Sequence, residues 1–563
     1  MAKRIVECVP NISDGRNTEV INAVVKAASS VKGAAVLDVD PGAATNRTVI
    51  TIAGEPDSVL QAAFNVIQSA GRLIDMRTQT GSHPRHGATD VCPFVPVSGV
   101  TMEECADLAR RLGKKVGEEL GIPVYLYEYA ASKPEWVKLP NIREGEYEAL
   151  PDKLGKEEWK PDFGPNEWNE STAKTGVCTI GARNFLIAYN VNLNTTDASM
   201  AKEIALNIRD TGRTKRTSQW KFARDDKGNK VKQEGRLKNC KAFGWFIEEY
   251  NTAQVTMNLT DISVTPLHTG FEVTKQEAEK LGLRVTGSEV VGLVPLSAMV
   301  NAGKYYLEMQ NRALLNIGKQ AKSVGAPERE LVNIAIRSMG LSDVAEFDPD
   351  KKIVEYMIAD RSVNLSGMTC RAFCDELSID SPAPGGGSAA ALMGAVGSAL
   401  NSMVANLTVK NRKFKSSWEE MLELAPEAQD IKEFLVNAID EDTRAFNVWM
   451  DTIKAKGDVQ SAVRGAVEVP LGVLSKAPVI AEMALALVER GMQTSLSDAG
   501  VAAAAAVASA TGAYYNVMIN LPEIQDENYR EKITEEADKL FEKTREVAGT
   551  VHSKIVAKLK NES

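Results

Sequence analysis

Up to about residue 360 the chain alternates between two hydrophobic periods, and beyond it only one survives. Short apolar or alternating stretches, "RIVECVP" (4–10), "AAVLDVD" (34–40), "RTVITIAG" (47–54) and "VCPFVPV" (91–97), are interleaved with "NTEVINAVVKAASS" and "DSVLQAAFNVIQSAGRLID", whose apolar residues recur at helical spacing. The order is βαββαβ, the ferredoxin-like unit. A helix over 102–120 and a strand, "PVYLYEY", follow. After residue 183 the same order recurs without close residue matches: "FLIAYNVNL", "DASMAKEIALNIRD", "KAFGWFIEE", "AQVTMNLT", "TKQEAEKLG", "EVVGLVPL". The fold expected is α/β, two ferredoxin-like βαββαβ subdomains facing each other, followed by an all-α helical-bundle domain rich in alanine. The boundaries expected are 1–182, 183–340, a connecting helix and linker over 341–368, and 369–563. A cleft between paired subdomains is a natural ligand site.

Several function classes are disfavoured by bulk properties. The 563 residues exceed the roughly 250–300 that one core supports. A net charge of −9 argues against a surface that coats nucleic acid or an anionic membrane. Seven cysteines without a C-x-x-C pair fit packing roles in a reducing compartment. The start "MAKRIVECVPN" has no long apolar run, and "GVAAAAAVASATGAYYNVMINL" is mostly alanine and contains Asn516 and Asn520, so a cytoplasmic protein with no membrane span is expected.

"TQTGSHPRHGATDVCPFVPV" (78–97) holds His83 and His86. Pro84 disfavours a helical His83, and zinc would need ligands beyond the pair while His268 and His552 stand elsewhere, so no metal site is expected. A plain surface loop remains open. Against it, Asp38 and Asp40 close one strand, Asn46 and Arg47 open the next, and Asp90 follows the loop. A histidine held by a carboxylate would have its pKa raised toward neutrality, as a proton shuttle needs. "DFGPNEWNESTAKTGVCTIGARNF" (162–185) reads either as a linker or as backbone that Gly164, Gly176 and Gly181 open to a flat ligand. Residues 211–238 carry ten Lys or Arg against three Asp or Glu, either a solvated face or an anion-attracting patch. Only Trp220 and Phe222 could stack bases there, so nucleic acid is not the expected partner.

In the helical part, Gly385, Gly386 and Gly387 open a small-residue helix without a phosphate-loop pattern, giving either a turn or free N–H groups that meet an anion or carbonyl. "EFLVNAIDEDTRAFNVWMDTI" (433–453) draws an apolar stripe through 435, 438/439, 445/446, 449 and 453 into which Asp442 falls, whereas Asp440 is about 200° around the helix. Asp442 is a candidate acid/base or a satisfied structural carboxylate. Asp498 at a helix start, with Asn516 and Asn520, reads as ligand contacts or interhelical hydrogen bonds.

"ECVPNISDGRN", "LDVDPGAATNRTV", "GSHPRHGATDVCPFVPV", "REGEYEALPDKL", "DFGPNEW" and "GARNFLIAYNVNL" resemble the formiminotransferase half of formiminotransferase-cyclodeaminase; "PAPGGGS", "DEDTRAF", "AVEVPL", "SLSDAG" and "GAYYNVMINL" resemble its cyclodeaminase half. The resemblance implies transfer of a formimino group from N-formimino-L-glutamate to N5 of tetrahydrofolate, then cyclisation to 5,10-methenyltetrahydrofolate with loss of ammonia, in histidine degradation. It implies that His83, not His86, and Asp442 are catalytic, with Asp40 orienting His83. Substrate or folate contacts implied are Asn46, Arg47, Arg85, Gly164, Pro165, Gly176, Gly181, Gly235, Arg236, Leu237, Gly385, Gly386, Gly387, Asp498 and Asn516. Tetrahydrofolate, with or without a polyglutamate tail, is the co-substrate, and the family assembles as dimer-based homo-octamers. That only one of the two sites is active, the other domain being a folate-binding scaffold, stays open.

Overall fold

A computed structural model describes residues 4–217, 219, 221–321, 324–358 and 364–561. Trp220 and the first part of the expected linker, 360–363, lie outside the described residues. The chain forms two compact units.

The first unit holds residues up to 299 together with 339–358 and contains two larger sheets and a two-stranded ribbon. In the N-terminal sheet the first strand is split at Pro10 into β1 (Ile5–Cys8) and β2 (Asn11–Ile12), because proline cannot continue the ladder. Both halves lie between β4 (Arg47–Gly54) and β5 (Thr89–Ser98), and β3 (Ala34–Gly42) pairs with β4 on the outside. That is the ferredoxin-like order. The helices Thr18–Ser29, Pro56–Leu73 and Met102–Leu120 bury one face against Val6, Cys8, Ile50, Ile52 and Phe94. Their starts are written locally: the Asn17 side chain accepts from Glu19 and Val20 N–H, and Thr101 and Glu104 form a capping box. The sheet then extends in parallel through β7 (Cys178–Ala182) to β6 (Val124–Glu128). β7 lies inside the glycine-rich segment 162–185, for which no strand was expected.

The second sheet runs β11 (Cys240–Ile247), β12 (Thr252–Leu259), β8 (Ile187–Leu193), β13 (Val285–Val291), backed by helices Ala198–Ile208 and Leu267–Lys280, and repeats the ferredoxin-like order. The basic segment folds outward as a ribbon whose short strands, β9 (Arg213–Thr214) and β10 (Lys232–Gln233), pair. Arg216 and Lys230 flank the Phe222 ring there.

The second unit is all-helical and gathers 300–338 with the described residues from 364 onward. The stretch 300–338 was expected with the second α/β subdomain and 341–358 as connector; helical periodicity does not say which core a helix joins. Gly303 packs on the backbone of Leu331, and Gly325 on Ala425. The bundle is built by helices Gly386–Val409, Trp418–Ala455, Val459–Arg490, Leu496–Asn520 and Glu527–Asn561. Small residues set the spacing: a Cβ on Gly394 would lie 2.7 Å from Ser509 Oγ, and one on Gly512 2.9 Å from Ala390 Cβ. Three segments, Gly386–Val409, Val459–Arg490 and Gln493–Glu523, are long and apolar enough to cross a membrane; 44% to 61% of each apolar window is buried inside the protein. Some of their polar groups are paired within it, as where Asn401 Nδ2 donates to Ile480 O at 2.8 Å. All seven thiols are free; Cys8, Cys92, Cys105, Cys178 and Cys240 are buried, whereas Cys370 and Cys374 are exposed and so are not the packing residues expected.

Candidate active sites

The loop carrying His83 is held at its base by Asn46. This residue adopts φ +50°, which asparagine tolerates, and its Oδ1 accepts from Gly15 N–H at 3.1 Å while Nδ2 donates to Thr80 O at 3.0 Å. At the other end Gly87 bridges to Gly176. A Cβ on Gly176 would meet His86 O at 2.2 Å, and one on Gly87 would meet Val177 O at 1.9 Å. Gly176 therefore lets chain approach chain. Gly181, whose missing side chain makes room for the Tyr127 ring, and Gly164 (φ +82°), which lies against Ile122 O beside Pro165, do the same.

Beneath the loop, Asp90 is fully buried and gathers two arginines. Arg47 pairs with it through Nη1, and Arg143 Nη2 donates to Oδ2 at 2.7 Å. Oδ1 accepts from the backbone N–H of His86 at 3.1 Å. Burial pushes the Asp90 carboxyl up, but His86, Arg47 and Arg143 together hold it below its ordinary value. Arg47 Nε also donates to Asn11 Oδ1 at 2.9 Å, and its Nη1 lies 3.2 Å from His83 Nδ1.

His83 Nδ1–H donates to the carbonyl of Pro84 at 2.7 Å, which leaves the lone pair on Nε2. Burial, then the Arg47 guanidinium, lowers the His83 pKa. This reverses the expectation of a raised pKa, and the reason is geometric. Asp40 is an exposed residue of β3 opposite Val49, with no hydrogen bond to His83; the carboxylate near the loop is Asp90, which reaches the imidazole only through a cation. Arg85 is held by its own chain, donating to Gln79 O at 2.8 Å and Glu148 Oε1 at 2.9 Å. His86 is buried, its Nε2 2.7 Å from Thr179 Oγ1 and 3.1 Å from Asp90 O, and burial depresses its pKa to about 4. The two histidines thus serve different partners, and among the described residues no group of three or more His, Cys, Asp or Glu is placed to hold a metal.

Gly235, Arg236 and Leu237 stand elsewhere. They close over the end of the Ala198–Ile208 helix, where Leu237 N–H donates to Ile208 O at 2.9 Å and Arg236 pairs with Glu277 at 2.8 Å. This is the helical layer behind the second sheet.

In the helical unit four expected residues converge. A Cβ on Gly387 would sit 2.1 Å from Asp442 Oδ1, and one on Gly386 3.3 Å from Asn516 Nδ2. The glycines thus let the open start of the Gly386–Val409 helix meet a carboxylate. Ser388 Oγ donates to Ile439 O at 2.8 Å and lies 3.2 Å from Asp442 Oδ2. Burial raises the Asp442 pKa, offset in part by hydrogen bonds from Ser388. Gly385 adjoins the same helix start. Asp440 faces away as expected and accepts from Leu365 N–H at 2.6 Å. The outer end of the stripe is not core: Ile453 is exposed. Asp498 does not join this site, since it stands 18 residues before Asn516 on one helix, about 27 Å away at 1.5 Å per residue.

An imidazole with a lowered pKa beside an arginine in one unit, and a buried carboxylate at a helix start in the other, are two separate settings suited to acid–base chemistry. Comparison with known proteins gives the family. Residues 5–183 match the formiminotransferase domain, N-terminal subdomain, 188–359 the formiminotransferase domain, and 369–539 formiminotransferase-cyclodeaminase. The chain is 40% identical to the formimidoyltransferase-cyclodeaminase of Rattus norvegicus over 99% of both chains. Its first part is 40% identical to the glutamate formimidoyltransferase of Streptococcus pyogenes, covering 55% of this chain and 95% of that one. Its last part is 30% identical to the methenyltetrahydrofolate cyclohydrolase of Methylorubrum extorquens, covering 34% and 96%. The chain belongs to the bifunctional formiminotransferase-cyclodeaminase family.

Sequence reasoning missed Arg143 and passed over Asp90 as a support. The signal for Arg143 was its place at the head of the "REGEYEALP" motif.

Proposed function

We propose that the α/β unit transfers the formimino group of N-formimino-L-glutamate to N5 of tetrahydrofolate, and that the helical unit closes 5-formiminotetrahydrofolate to 5,10-methenyltetrahydrofolate with release of ammonia, two steps of histidine degradation. The observation that carries this reading is the pairing of full-length 40% identity with opposite acid–base settings at His83 and Asp442.

In the first step N5 attacks the formimino carbon. The free Nε2 of His83 takes the N5 proton and returns it to the glutamate nitrogen as the C–N bond breaks. The Asp90-bound arginines, Arg47 and Arg143, suit a dianionic amino acid. In the second step N10 closes on the same carbon, and Asp442 carries the N10 proton to the amino group that leaves as ammonia. Its raised pKa lowers the cost of accepting that proton. Asn516 and the Gly386–Gly387 amides line the same place. The working form proposed is a cytoplasmic, dimer-based homo-oligomer up to an octamer, using tetrahydrofolate with or without a polyglutamate tail, without a metal, nucleic-acid partner or membrane span.

One assay tests the whole reading. Formiminoglutamate plus tetrahydrofolate should yield methenyltetrahydrofolate absorbance and ammonia in equal amounts; glutamate release without either product would leave only the first site active.

A further inference from the structure

Nothing in the fold uses the carboxylate of Glu7. Its neighbours Val6 and Cys8 point into the core beneath the three helices, and strand alternation sends Glu7 to the other face of the sheet. There it is 5% exposed, yet among the described residues it has neither a hydrogen bond nor an ion pair. Only longer-range charges reach it, Arg183 favouring its ionised form and Glu355 opposing it, and burial pushes its pKa up to about 7. A buried, unpartnered carboxylate is costly and calls for an explanation.

What it lacks is donors, and its position limits which donors can arrive. Glu7 lies four residues before Asn11, about 13 Å along the strand direction. Asn11 holds the Arg47 guanidinium that touches His83. Since the formamidine carbon must lie at His83, Glu7 is too far along the strand to pair with it. The pterin that brings N5 to that carbon carries, at the opposite end of its bicycle, an N3–H and a 2-amino group side by side.

We propose that Glu7 receives this N3–H/2-amino edge of tetrahydrofolate on its two carboxylate oxygens, fixing the ring with N5 directed at His83. The assignment rests on the transferase reading above. It makes Glu7 a binding residue that touches substrate without taking part in the proton transfers.

The test uses the full chain and reads glutamate release, which reports the transferase alone, with tetrahydrofolate and with 2-desamino-2-methyltetrahydrofolate. For the unaltered protein the analogue should lose about 10- to 100-fold in kcat/KM, mostly through KM. Glu7→Gln should lose a similar factor with tetrahydrofolate and little more with the analogue, and its KM for formiminoglutamate should not move. Equal use of the two folates by the unaltered protein would overturn the proposal; so would losses that multiply, or a shift confined to the KM of formiminoglutamate. If Glu7→Gln does not fold, the comparison of the two folates in the unaltered protein still decides. Absence of glutamate release with tetrahydrofolate itself would instead count against the transferase reading.

Discussion

The two units set an acid–base group in opposite ways. In the α/β unit a buried carboxylate is spent on arginines, one of which adds to burial in lowering the pKa of the neighbouring histidine. In the helical unit the carboxylate itself has its pKa raised, because burial outweighs the Ser388 hydrogen bonds. The same residue type is a buried counter-ion at Asp90 and, in the proposed reaction, a proton carrier at Asp442. The surroundings, two guanidinium groups in one case and a serine with glycines in the other, decide which.

The sharpest way to break the comparison is to remove each group. His83→Ala should lower glutamate release by about 10²–10⁴-fold and leave cyclisation of added 5-formiminotetrahydrofolate intact, and Asp442→Asn should do the reverse. A variant that lost both reactions would refute separate sites. Next, Asp90→Ala strips a buried counter-ion from two arginines and should cost about 3–5 kcal/mol in denaturant unfolding of the α/β unit, as expected when one partner of a buried pair is removed. The helical unit should unfold at its usual midpoint.

His86 gives a pH-dependent version. Its folded pKa of about 4 lies below the ordinary histidine value, so the unfolded chain binds the proton first as pH falls. Stability is complete above about 6.5 and should decline by about 3 kcal/mol down to about pH 4. Gln or Asn at this position removes the titration, so unfolding midpoints of His86→Gln should lose most of that slope. Unchanged pH dependence would mean that His86 is not buried neutral. The smallest effect is expected at Gly387→Ala, where a methyl group must displace Asp442; about 1–3 kcal/mol of overpacking strain should appear together with slowed cyclisation, while glutamate release is unaffected.

Asp442 was legible because a carboxylate on an apolar helical stripe breaks a pattern that needs only sequence positions to see. The two βαββαβ units were legible for the same reason, since each element has its own period. The His83 surroundings were not. Strand alternation tells which face Asp40 takes but not which strand end lies under the loop, and Arg143 arrives from 53 residues beyond Asp90. β7 was hidden because its residues follow a glycine-rich run that lowers any local strand signal. The glycines show one limit: at 164, 176 and 181 the space opened by the missing Cβ is filled by neighbouring backbone or the Tyr127 ring, whereas at 387 it is filled by the carboxylate of Asp442. Sequence shows the vacancy, never the occupant.

The Asn46 clasp on Thr80 and the Gly87–Gly176 bridge give the His83 loop two fixed ends. For an engineer this leaves Ser82 as the position to vary: a Cβ on Gly81 would lie 2.2 Å from Thr45 O, His83 and Pro84 carry the imidazole, and Arg85 and the buried His86 are tied to Glu148 and Thr179.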